Sequence, residues 1–235
     1  MMNENSFYAA SGPDASIAAQ QFITKVYGWM CAALLTTAGV AYYTVSNENL
    51  MTAVFQRPGL LMFLIIAELG LVMALSWAIN KISSSVATAM FFLYSALTGV
   101  TISVIFIVYT QESIASTFFI AAATFGAMSF YGYVTKRDLT SVGNLAFMGL
   151  VGIILASILN IFIASSFLYA AVTYIGVLVF VGLTAYDTQK IKQLGGRFAE
   201  GSDEERKGAI IGALRLYLDF INLFLMLLRI FGKRR

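Results

Sequence analysis

Seven stretches of about twenty mostly apolar residues run through this chain, at 22–43, 59–79, 86–109, 114–134, 142–164, 167–186 and 209–231. A helix needs about 20 such residues to cross the hydrocarbon core of a bilayer. The sequence therefore reads as an all-α, polytopic membrane protein: a polar tail over 1–21 and a single seven-helix domain over 22–235. Only 11% of the 235 residues are charged, whereas soluble domains carry about 25%. The breaks are short turn-forming runs: SNEN with QRPG, NKISSS, TQES, TKRDLTS and ASS. The one substantial connection, 188–208, contains GGRFAEGSDEERKG. Neither proline, Pro13 or Pro58, interrupts a span. The tail has no basic region ahead of an apolar one, so no cleaved signal peptide is expected.

Basic residues set the expected orientation. With the N-terminus inside, Lys25, Lys81, Lys136, Arg137, Lys190, Lys192, Arg197, Arg206 and Lys207 fall on the cytoplasmic side, and Arg57 falls outside. The last segment conflicts with this pattern, because a full crossing sends Lys233, Arg234 and Arg235 outward. The charge rule prefers a re-entrant or unusually central last helix. Small residues spaced by four, Ser95, Gly99 and Ser103 in the third span and Gly152 with Ala156 in the fifth, mark faces where helices approach closely.

The chain has no histidine, which removes the usual metal ligand and the usual group titrating near neutral pH. Its one cysteine, Cys31, cannot form an intrachain disulfide. Any response to pH must then come from carboxylates or other perturbed groups. Nine of the twelve acids lie in tails or loops, leaving Glu68, Asp187 and Asp219 within apolar surroundings. A charge at mid-depth costs about 2.5–3.5 kcal/mol on insertion scales, so it needs a partner or a task.

The sixth helix can continue through Thr188 to Leu194 and stop at Gly195-Gly196. At 1.5 Å per residue, Asp187 then sits about 10 Å from that end, and Asp219 about 15 Å from the start of its own antiparallel helix. The two come out at similar depth. Two carboxylates in one poorly solvated site cannot both ionise cheaply and tend to share a proton. Such a pair serves as a proton-controlled latch, or as a site for Ca2+, which prefers carboxylate oxygens. The competing arrangement is private pairing: Arg215 or Asn222 with Asp219, and Lys190 with Asp187. Glu68, in LIIAELGLVM, has no basic residue within a helical turn. It is a candidate for the ion pathway or for a hydrogen bond to a neighbouring helix. Arg229 reads as snorkelling to the far interface.

The segments AYDTQKIK at 185–192 and LYLDFINLFLMLLRIFG at 216–232, with AELG around Glu68, resemble the Bax inhibitor-1, or transmembrane BAX inhibitor motif, family. The similarity is closest to its bacterial inner-membrane members and runs from about residue 20 to the end. The resemblance implies six helices around a central seventh and a pH-sensitive calcium leak. It also implies that Asp187 and Asp219 are the proton-sensing pair and that Glu68 lies near the conduction route. No cofactor is implied beyond Ca2+ as the transported or transiently bound ion. In a well-matched bacterial relative an arginine late in the second helix latches onto the sixth-helix aspartate. Here Ile79 stands at that position, leaving Lys81 or Arg215 as candidate latch.

Two rival functions bear on the same features. Some bacterial relatives restrain a membrane-bound AAA protease, so a non-transporting regulator docking through 200–207 is the alternative. An intramembrane aspartyl protease is not expected: the second aspartate lies in LYLDF, without the Gly-x-Gly-Asp and Pro-Ala-Leu motifs such enzymes need.

Overall fold

The computed structural model describes residues 13–195 and 197–235. Residues 1–12 of the expected tail, and Gly196 of the expected helix stop, lie outside the described residues. The described residues form nine helices: α1 (Pro13–Ser46), α2 (Glu48–Phe55), α3 (Pro58–Ala78), α4 (Ser84–Ile102), α5 (Ile105–Val108), α6 (Gln111–Val134), α7 (Thr140–Ile163), α8 (Ser166–Leu194) and α9 (Asp203–Phe231).

Six segments are long and apolar enough to cross a bilayer: Gly59–Ala78, Ser84–Val108, Gln111–Val134, Thr140–Ile163, Ser166–Leu194 and Asp203–Phe231. The first expected span, inside α1, is not among them. Thr36, Thr37, Tyr42 and Tyr43 dilute its apolar character, although the helix itself is unbroken for 34 residues. The third span breaks at Ser103, whose hydroxyl donates to Val100 O at 2.7 Å. A serine that bonds back into its own helix competes with the regular ladder, and α5 resumes after it.

Hydroxyl and amide caps define the helix starts. Asn47, Ser83, Thr110, Ser165 and Ser202 each accept a backbone N–H of the first turn that would otherwise be unsatisfied. α8 does run through Thr188 to Leu194 and stops at Gly195. The glycine is required there by close approach and not by its φ of −59°: a Cβ would lie 2.8 Å from Ala19 Cα on α1.

Cross-links fix which connections share an end of the bundle. Lys25 on α1 pairs with Glu205 on α9 at 2.6 Å. The Ser84 amide donates to Asp203 Oδ1, and Gln189 on α8 bonds both Leu139 N and Arg137 O in the α6–α7 connection. The 79–83, 135–139 and 195–202 connections therefore lie together, and they bring Lys25, Lys81, Lys136, Arg137 and the basic residues from Lys190 to Lys207 to one end. At the other end the chain past α9 meets the α5–α6 connection, with Thr110 N donating to Lys233 O at 3.0 Å. α9 is unbroken over 29 residues, roughly 43 Å, and joins these ends.

Burial is uneven. Of its most apolar window, 72% of α9 is buried, against 6% of α3 and 11% of α7. α9 packs extensively on α1, α4, α6 and α8. α3 and α7 turn large apolar residues outward, including Met73, Trp77, Leu145 and Phe162. Ser95, Gly99 and Ser103 are buried as the small-residue spacing suggests, and a Cβ on Gly99 would meet Thr37 O of α1 at 2.7 Å. Gly152 is not a contact: open space surrounds it. α6 and α7 cross tightly onto α8 at Gly132, facing the Ala185 backbone, at Gly143, facing the Tyr186 ring, and at Gly149, facing Val179.

Candidate functional site

Gly132 and Gly143 clamp Ala185 and Tyr186 immediately before Asp187, fixing α8 where its carboxylate emerges. α9 presents Asp219 to the same place. Asp187 and Asp219 line one cavity of about 450 Å³ between α7, α8 and α9. The Asp219 side chain is 4% exposed and its Oδ2 has no hydrogen-bond partner among the described residues. The antiparallel depth match read from the sequence is what the structure shows.

Arg215 lines the same cavity and reaches Asp187 rather than Asp219, with Nη1 3.9 Å from Asp187 Oδ1. Asn222 also lines it, but its amide donates to Leu218 O on its own helix at 2.8 Å. Lys190 lies over the Tyr186 ring, 5.5 Å from the centroid. Lys81 lies over Trp77, 5.0 Å from the centroid, and is not among the residues lining the cavity. Asp187 thus has one half-exposed cation at long range, and Asp219 makes no ion pair among the described residues. A buried polar atom without a partner is costly enough to be rare in native proteins.

Glu68 is elsewhere. It accepts from Thr98 Oγ1 of α4 at 3.5 Å, while its Oε1 is buried and without a partner. Beside it lies a polar cluster absent from the sequence reading. The Tyr217 and Thr37 hydroxyls are 2.7 Å apart, Thr37 also donates to Ser95 O at 2.8 Å, and the Tyr94 and Tyr217 rings meet edge-on with centroids 5.9 Å apart. Tyr217 is fully buried two residues before Asp219, so it points from roughly the opposite side of α9. The signal was present in LYLDF, but tyrosines in apolar helices usually serve packing.

The described residues contain no group of three or more Asp, Glu, His or Cys suited to hold a metal. Two carboxylates offer at most four of the 6–8 oxygens that Ca2+ takes, so an ion here would complete its shell with water or backbone oxygens.

Long apolar helices enclosing two acidic side chains define a multi-pass membrane protein with an ionisable interior site. The family model described as inhibitor of apoptosis-promoting Bax1 matches residues 19–235, and the chain belongs to that family. It is 58% identical over 217 residues to the inner membrane protein YbhL of Escherichia coli K12, covering 92% of this chain and 93% of that protein. An uncharacterised protein of Borreliella burgdorferi is 49% identical over 215 residues, covering 92% and 93%. An uncharacterised membrane protein of Streptococcus pyogenes is 37% identical over 238 residues, covering 99% of each.

Proposed function

We propose that this chain is a pH-sensitive calcium leak pathway of the bacterial inner membrane, with Asp187 and Asp219 as its sensor and gate. The observation that carries this reading is the unpartnered Asp219 Oδ2, buried in a cavity that it shares with a second carboxyl group. A pair meant only to hold helices together would be neutralised or fully hydrogen-bonded, because an incompletely satisfied buried network weakens a fold. Here the proton count of the pair can change, and each change alters what a divalent cation meets.

On this reading α1 makes a seventh crossing, the N-terminus is cytoplasmic, and α9 is the central helix. The collection of basic residues at the end holding 195–202 supports that orientation, and the burial of α9 supports its place. The Escherichia coli relative is named an inner membrane protein, which supports that location. Glu68 lies on the continuation of the ion route past Tyr217, and Arg215 is the latch candidate favoured over Lys81. The aspartates exchange protons and ions without cutting a bond, so the chain is not an enzyme. Docking of a protease or other partner through 200–207 is less favoured, since Asp203, Glu205 and Lys207 are already taken up in bonds within the chain.

The test is Ca2+ flux in vesicles reconstituted with the wild type and with Asp187→Asn/Asp219→Asn, measured across pH. The wild type should pass Ca2+ with a pH-dependent rate, and the double variant should fold and lose that dependence. Flux equal to empty vesicles at every pH sinks the proposal.

A further inference from the structure

The far end of the bundle carries a second cavity, unrelated to the carboxylate pair. It measures about 320 Å³ and lies between the end of α7, the start of α8 and the last turn of α9. Its polar lining is Arg229, Tyr169, Asn160 and Ser157, and no carboxylate lines it. Arg229 makes no ion pair among the described residues. Its guanidinium stands over the Tyr169 ring, 5.3 Å from the centroid, and Nη1 lies 4.0 Å from Met226 Sδ, a weak acceptor. Asn160 Oδ1 accepts Ser165 N at 2.9 Å, which leaves its NH2 group to donate elsewhere. A cation, an amide and two hydroxyls thus surround one space, with no anion to answer them. The adjoining surface is apolar and bare: Phe162 and Phe167 are each 82% exposed, and Ile161 76%.

We propose that this cavity binds the phosphate of a phospholipid headgroup. The guanidinium fork matches two phosphate oxygens, as a planar cation does better than an ammonium. Stacking on Tyr169 holds the fork in place before the ligand arrives. The Asn160 amide and the Tyr169 and Ser157 hydroxyls donate to the remaining oxygens, and the acyl chains run along Ile161, Phe162 and Phe167. An arginine that merely snorkels to water needs neither the cavity nor the surrounding donors. The site goes beyond the leak proposal and does not depend on it.

Native mass spectrometry of the purified full-length protein in detergent tests this, with phosphatidylglycerol, diacylglycerol of the same chains, and inorganic phosphate as probes. The protein should retain phosphatidylglycerol and not diacylglycerol, and inorganic phosphate at equal concentration should not displace the lipid. Arg229→Gln should weaken retention roughly fivefold, the effect of one basic residue at an anionic membrane surface. Tyr169→Phe, which keeps the ring but loses the hydroxyl, should weaken it less. Equal retention of diacylglycerol, or displacement by inorganic phosphate, overturns the lipid assignment. Should Arg229→Gln not fold, Arg229→Lys and Tyr169→Phe decide, and unchanged retention in both overturns the proposal.

Discussion

Arg215 forms a long ion pair across to Asp187 on α8, at 3.9 Å, although Asp219 stands one turn ahead of it on its own helix. Helical side chains lean toward the N-terminus, so Arg215 leans away from Asp219. The order cation-then-acid is also the poorer one for a pair four residues apart. Among the described residues the ion-pair contact of Arg215 is with Asp187 and not with Asp219.

Arg215→Gln should consequently shift the pH response without abolishing it. Losing a positive charge beside Asp187 favours the protonated pair, so the transition in Ca2+ flux should move to higher pH. Lys81→Gln, which alters a cation over Trp77, should leave the transition in place. Vesicle flux across pH on both variants measures this. An unmoved transition in Arg215→Gln would assign the latch elsewhere.

The clamp on α8 gives a stability prediction with an internal control. Gly132→Ala drives a methyl group into the Ala185 backbone, and such overpacking costs about 1–3 kcal/mol. Gly152→Ala meets open space and should be neutral or slightly stabilising, since alanine is the better helix former. Thermal unfolding in detergent should separate the two clearly.

How much of this was legible beforehand differs by feature. The depth match of Asp187 and Asp219 followed from helix rise and the Gly195 stop, because both are local. Which glycines touch was not, because Gly132 and Gly152 look alike until the rotation of each helix is known. Tyr217 was missed for a related reason. Its hydroxyl gains meaning only from Thr37, 180 residues away, and no local pattern joins them. The first span was expected from its apolar run, yet its threonines and tyrosines are what keep it below the hydropathy of the other six.

The Lys25–Glu205 pair ties α1 to the start of α9. Glu205 is 6% exposed and also accepts Gly201 N at 2.7 Å. Lys25→Met leaves a buried carboxylate short of its cation and should destabilise by about 1–3 kcal/mol. Lys25→Met with Glu205→Gln should recover part of that loss, because the stranded charge is gone. A double-mutant cycle of unfolding midpoints gives the coupling directly, and strict additivity would show that the contact is idle.

Asp138 caps the entry to α7 from a fully exposed position. Its Oδ1 accepts Thr140 N at 2.9 Å and Thr140 Oγ1 at 2.6 Å. The hydroxyl bond, then the amide bond, hold its carboxyl below the usual value of 3.8. A depressed acid stabilises the fold above its unfolded pKa and loses that contribution as pH falls through its folded pKa. The first turn of α7 should therefore exchange its amide hydrogens faster below about pH 3.8, and Asp138→Asn should flatten that dependence while keeping part of the cap. Hydrogen exchange at Thr140 to Gly143 in wild type and variant checks it, and identical pH profiles would remove Asp138 from the account.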